Sequence, residues 1–216
     1  ENLAREVLEL HTLGVGSGYN QADVTQFAEL LTGLSLRDGA FRFKPHIAEP
    51  GAEMLLGRTY GGDHRANLAD ILTALDDLAA HPETAAHIAR KLAVHFVSDT
   101  PPDALVRDLT AAFVQSDGDL AVVTATLIDH PLALDQFGAK ARQPTEFILA
   151  AIRALAPESA KISQLKRGVL HRILYAPLRA MDQPPGDAPG PDGWPEEPEA
   201  WITPIGLATR ISWAMA

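Results

Sequence analysis

The sequence predicts a mainly α fold: a multi-helix, orthogonal or bundle-like single domain with a minor extended segment near residues 41–56. Three observations carry this. Apolar side chains recur at three- and four-residue steps through most of the chain, the joints between those runs carry helix start and stop signals, and two-residue alternation is confined to one short region.

The first helix covers residues 1–13. At about 100° per residue, Leu3, Ala4, Val7, Leu8 and Leu10 share one arc with His11, while Arg5, Glu6, Glu9 and Thr12 take the other. Gly14, Gly16 and Gly18 then make a turn. Their spacing is loop-like, but a phosphate-binding loop needs a strand before it and here a helix precedes. Asn20 and Asp23 have the spacing of a capping box ahead of Val24, Phe27, Leu30 and Leu31, and Gly33 closes that helix.

Residues 34–62 are the only part with strand character: Phe41 and Phe43 alternate with Arg42 and Lys44, and Met54 to Leu56 precede Gly57, which predicts a short hairpin or two irregular extended pieces. Leu68, Ile71, Leu72, Leu75 and Leu78 restore the helical period. His81-Pro82 and His130-Pro131 are joints, because proline suits a first helical turn and pushes its predecessor out of the helical region. Between them, one helix buries Ala85, Ile88, Ala89, Leu92 and Phe96, the next carries Leu105, Leu109 and Phe113, and a short one runs from Leu120 to Ile128. The segment 116–119 lacks the alternating ligands of a calcium loop and reads as a turn and cap. Residues 144–156 and 158–181 form two further helices, the second with Ile162, Leu165, Val169, Ile173 and Leu174 inward. Residues 183–201 are rich in Pro and Gly, carry three Glu, and form a loop pinned by Trp194 and Trp201 before a last helix at 204–215.

A chain of 216 residues is long enough for a proper core, and 46% apolar with 21% charged residues is ordinary globular composition. No run reaches the roughly 20 apolar residues that a membrane-spanning helix needs. The net charge of −10 argues against nucleic acid as a partner, since phosphate binding rests on Lys and Arg. With no cysteine there is no disulfide, thiolate metal site or thiol nucleophile.

Several stretches carry a resemblance. The run 1–23, ENLAREVLELHTLGVGSGYNQAD, comes first. His81-Pro82-Glu83-Thr84-Ala85 follows, with Lys91-Leu92 and Phe96-Val97-Ser98-Asp99-Thr100-Pro101-Pro102. Then come Ser116-Asp117-Gly118-Asp119-Leu120, residues 140–144 with Glu146 and Arg153, and Gly190-Pro191-Asp192-Gly193-Trp194-Pro195. In this order they resemble the bacterial family catalogued as domain of unknown function 1800. The resemblance implies no activity. It does imply that this is the C-terminal half of a longer protein, so the missing N-terminal half is a candidate partner. It also implies genes neighbouring a sulfatase-like family, which leaves both a cytoplasmic and an exported location open.

His11 in the apolar arc is expected to be a buried, hydrogen-bonded core histidine. As a metal ligand it would want Glu6 or Glu9 one turn away, and Glu6 is about 140° round the helix. His87, Lys91 and His95 recur at four-residue steps and are expected to form a solvated face. His46, His64 and His81 are the remaining histidines that could meet Glu6 or Asp63, although an N-cap-like role before Pro82 is favoured for His81. Trp194 is either a stacking platform for a sugar or peptide, or the anchor of its own loop, with the anchor favoured. There is no HExxH and no nucleophile elbow. The sequence therefore points first to a non-catalytic structural or interaction module with a possible protein partner. The alternative is a metal-dependent hydrolase-like enzyme, with Arg5, Glu6, His11, His46 and His81 as candidate catalytic residues and a site completed by the missing half. No cofactor is identified and no metal ligand is assigned.

Overall fold

The computed structural model describes residues 1–63, 65–155 and 164–215. His64 and Ile162 lie outside the described residues, as does the start of the helix expected from 158. The protein is mainly helical, with two small two-stranded sheets among the described residues. It divides into two compact units, residues 1–91 with 102–130, and residues 92–101 with 131–216. Among the described residues, no helix is long and apolar enough to cross a membrane.

The first unit opens with α1 (Asn2–Glu6), which widens into a π-helical segment, Val7–His11. Helix α2 (Gln21–Leu30) carries the expected capping box: Asn20 accepts the N–H groups of Ala22 and Asp23, and Asp23 Oδ2 accepts the Asn20 N–H at 2.9 Å. The other oxygen of Asp23 accepts the Leu56 N–H at 2.8 Å, so one carboxylate caps the helix and moors a hairpin. Two separate antiparallel hairpins follow, β1 (Leu34–Arg37) with β2 (Ala40–Phe43), and β3 (Ala52–Leu55) with β4 (Arg58–Gly61). Each is closed by two residues at positive φ, Asp38-Gly39 and Leu56-Gly57, the turn whose twist matches paired strands. The strands thus run from Leu34 to Gly61, inside the 34–62 stretch expected to have strand character and wider than the segment near 41–56.

Tyr60 fixes the second hairpin to α3 (Leu68–Ala79). Its hydroxyl donates to Asp77 at 2.6 Å, Arg58 pairs with the same carboxylate, and burial followed by the Asp77 bond pushes the phenol up to about 12. Phe27, Leu8, Val24, Leu55, Ile71 and Leu78 form the core of this unit. The expected turn and cap at 116–119 forms: Asp117 and Gly118 have positive φ, the Gly118 N–H reaches the Phe113 carbonyl at 2.9 Å, and Asp119 caps the next helix.

Helix α4 (Pro82–Phe96) begins in the first unit, where α5 (Asp103–Gln115) and α6 (Leu120–Asp129) pack together. Phe96 does not point inward as expected. The buried row on α4 runs by four-residue steps through Ala85, Ala89 and Ala93 to Val97, which leaves Phe96 about 100° off it and 64% exposed.

The second unit contains α7 (Pro131–Asp135), α8 (Pro144–Ala154), α9 (Arg167–Leu170), a π-helical segment His171–Tyr175, α10 (Ala176–Ala180) and α11 (Pro204–Ala214). Ile148, Leu178 and Met181 form its core, with Phe147, Leu174 and Trp213 against them. Pro177 lacks the N–H that would reach the Ile173 carbonyl one turn back. That carbonyl accepts the Trp213 indole N–H at 3.2 Å instead, which ties α11 to the distorted helix.

Candidate functional site

Three segments remote in sequence converge on Lys140 in the second unit. Its ammonium lies 3.1 Å from Asp99 Oδ1 and 2.6 Å from Glu196 Oε2, and the other oxygen of Glu196 lies 2.6 Å from His95 Nδ1. Asp99 also accepts the Ala141 N–H at 3.0 Å, so it holds both the side chain and the backbone of the strand-free segment before α8. Asp99 is placed by the turn that ends α4, where Ser98 Oγ accepts the Thr100 N–H. The Lys140 and Asp99 side chains are only 12% and 16% exposed. Burial opposes the charge on Lys140, yet its bonds to Glu196 and Asp99 prevail and hold its pKa above the ordinary 10.5. Burial likewise opposes the charge on Glu196, and Lys140 and His95 outweigh it and hold the carboxyl below its ordinary 4.5.

Below this cluster, glutamines stitch the same segments together. Gln183 Nε2 donates to Gln143 Oε1 at 2.8 Å, and Gln183 Oε1 accepts both the N–H and the hydroxyl of Thr145 at 2.7 Å. The Gln143 N–H donates to Glu146 Oε2 at 3.0 Å, and Trp201 Nε1 donates to the Pro195 carbonyl at 2.9 Å. Trp201 is buried, and Trp194 lies edge-on to it with ring centres 5.9 Å apart. The 183–201 loop is therefore pinned by indole packing, with half-buried Trp194 engaged by its own loop.

Beside the cluster opens a cleft of about 460 Å³, walled by His95 and Phe96 at the end of α4, Gln136 and Phe137 after α7, and Arg142 and Glu146 at the start of α8. When His95 Nδ1 carries the proton it donates to Glu196, and Nε2 is then the proton-accepting nitrogen of the ring. None of these residues was singled out as catalytic by sequence. His95, expected on a solvated face, is exposed but paired. The signal that could have found the cluster was the charge within the family-like stretches, Asp99 in one and Lys140 in another, with Glu196 directly after a third.

Helix α11 presents a second feature. Gly206, Arg210 and Trp213 face inward, with Arg210 donating to the Arg142 carbonyl at 2.8 Å and lying 5.3 Å from the Phe147 ring centre. The opposite face carries Leu207, Ile211 and Met215 at four-residue steps, 42%, 62% and 83% exposed. The helix has no charged residue but Arg210.

The residues expected at a site fall elsewhere, in the first unit. Arg5 bonds Glu9 at 3.3 Å and Gln21 at 2.6 Å, while Glu9 accepts the Tyr19 hydroxyl at 2.8 Å, a network joining α1 to α2. Burial and that bond to Glu9 raise the Tyr19 phenol. His11 is exposed, not buried as expected, because the wider π-helical turn advances each residue by less than 100° and carries it out of the apolar arc. Thr12 is buried in its stead, its hydroxyl donating to the Val7 carbonyl at 2.7 Å. Among the described residues, Glu6, His11 and His46 make no side-chain hydrogen bond or ion pair, and no group of three or more His, Asp or Glu could hold a metal ion. His81 Nδ1 accepts the Glu83 N–H at 3.2 Å, the capping role expected before Pro82. His87 is half-buried rather than solvated. Burial lowers its pKa, its Nε2 has no partner, and its ring occupies the space a side chain at Gly14 (φ +94°) would need.

A family model described as protein of unknown function (DUF1800) matches residues 1–216. No curated protein and no solved structure matches the chain.

Proposed function

The chain belongs to the DUF1800 family of proteins of unknown function, and we propose that it is a non-catalytic interaction module that docks onto a protein surface. The observation that carries this reading is the outward face of α11. The one charged side chain of α11, Arg210, faces inward, and outward stand the apolar Leu207 and Ile211, followed by Met215 just past the helix end. Full burial of such side chains is worth about 1.5–3 kcal/mol each, enough together to drive association. The strong charges in the family-like stretches support the reading from the other side, because Lys140, Asp99 and Glu196 hold one another and join three segments. The covering surface is a protein, either elsewhere in the natural chain or in a second molecule.

Replacing Ile211 with Asp in the 216-residue chain by itself is expected to leave the melting temperature within about 2 °C, since surface changes are usually small. In the natural protein it should uncover the α11 face, read as a lower particle mass by light scattering where a second molecule covers it and as faster hydrogen exchange over residues 204–215 where the natural chain does. Wild-type protein from its native source that shows no bound surface, intramolecular or intermolecular, would overturn the docking reading.

A second reading, hydrolase-like chemistry, is favoured by one observation: Glu196 orients His95 in the pairing that general bases use. It relies on different residues from those the sequence suggested. Replacing His95 with Gln tests it through hydrolysis of a panel of ester and glycoside substrates by the natural protein, where a turnover lost with His95 would displace the non-catalytic reading.

A further inference from the structure

We infer that the cleft beside Lys140 is a binding site for a neutral saccharide. The inference does not depend on the α11 face and rests on what the cleft walls leave unspent. Lys140 is matched by Asp99 and Glu196. Arg142 has no side-chain partner among the described residues, and Glu146 uses one oxygen as a cap. The charges still available to a ligand are one cation and one anion, close to balance. A polyanion needs an excess of Lys and Arg, and this cleft has none.

A purely apolar ligand fits no better. Arg142, Glu146, Gln136 and His95 would each give up water without gaining a partner. An extended peptide would pair with a strand edge, and the walls are helix ends and turns.

A pyranose ring meets all of these conditions. Arg and Gln side chains each present two polar atoms in one plane, spaced for a pair of neighbouring ring hydroxyls, and Glu146 keeps its second oxygen for a third. The C–H face of a sugar packs on an aromatic ring, and two rings stand at the cleft with little cover. Phe96 is 64% exposed and Phe137 is 98% exposed. A Phe that touches almost nothing of its own fold gives up its burial energy, and stacking on a ligand recovers it. The volume lies within the roughly 300–1,000 Å³ of small-molecule sites, which suits a short oligosaccharide.

The test titrates the whole chain calorimetrically with cellohexaose, maltohexaose, xylohexaose and chitohexaose, and with a polygalacturonate oligomer as the anionic arm. At least one neutral oligosaccharide should bind, with little dependence on salt. Phe137→Ala should weaken it about tenfold. Because Phe137 is almost wholly exposed, the melting temperature should not move, so loss of binding cannot be attributed to unfolding. Arg142→Ala should weaken binding as well. Failure of every neutral sugar at millimolar concentration, binding confined to the polygalacturonate and abolished by salt, or affinity untouched by Phe137→Ala would each overturn the proposal. None of these outcomes bears on the α11 face, which Ile211→Asp tests separately.

Discussion

Replacing Trp201 with Ala is expected to destabilise the second unit by about 3–5 kcal/mol, the usual cost of emptying a buried aromatic site. Trp201 is 3% exposed, donates to the Pro195 carbonyl at 2.9 Å and supports the Trp194 ring. Its loss removes the anchor of residues 183–201 and frees the segment that delivers Glu196 to Lys140. Thermal unfolding should show the lower midpoint, and emission from the two remaining indoles should shift to longer wavelength as Trp194 becomes hydrated. Trp201→Phe should retain the edge-to-face packing and lose only the hydrogen bond, at a cost of about 1–2 kcal/mol. Equal losses for Ala and Phe would contradict this assignment of roles.

Lys140→Met is expected to cost about 3 kcal/mol, because it strands two carboxylates in a largely buried place. Asp99 is 16% exposed and Glu196 30%, so neither is freely hydrated. Neutralising the cluster together, with Lys140→Met, Asp99→Asn and Glu196→Gln, should recover most of the loss, since much of the penalty belongs to the unpaired charge. The pH dependence follows from the directions of the shifts. Lys140 is raised above 10.5 in the folded state, so its contribution is fully present below 10.5 and lost as pH rises through the higher folded value. Glu196 is lowered below 4.5, so its contribution is present above 4.5 and lost as pH falls through the lower folded value. In chemical denaturation the wild-type protein should therefore lose the Glu196 contribution as pH falls below 4.5 and the Lys140 contribution as pH rises above 10.5. A triple variant no more stable than Lys140→Met would contradict the cluster as described.

Local signals read well and angular extrapolation read less well. The capping box at Asn20 and Asp23 and the histidine-proline joint at His81 depend on neighbours within a few residues, and each formed. The hairpins were only half legible. Asp38-Gly39 is a turn signal in plain view, but Leu56 at φ +50° carries no such signal, because a leucine adopts that conformation only when the surrounding fold imposes it. His11 and Phe96 were placed by a uniform 100° step. The π-helical segment broke that step for His11, and the drift of the four-residue row toward Val97 displaced Phe96.

The Lys140 cluster was not legible as a site, since nothing local links His95, Asp99, Lys140 and Glu196. Only the resemblance had grouped most of those stretches, and it gave them no contact. The candidates read from the sequence, Arg5, Glu6, His11, His46 and His81, all lie in the first unit. Arg5 and His81 are engaged in local networks and caps, while Glu6, His11 and His46 make no side-chain bonds among the described residues.

The reading of this chain as a module that docks through α11 is tested most directly by hydrogen exchange over residues 204–215. The natural protein purified from its own source is compared with the isolated 216-residue chain. Burial of Leu207, Ile211 and Met215 against a protein surface should slow exchange of this helix about tenfold or more in the natural protein, an opening cost raised by about 1.4 kcal/mol or more. Identical protection in the two samples would mean that nothing covers that face, and the docking account would fall.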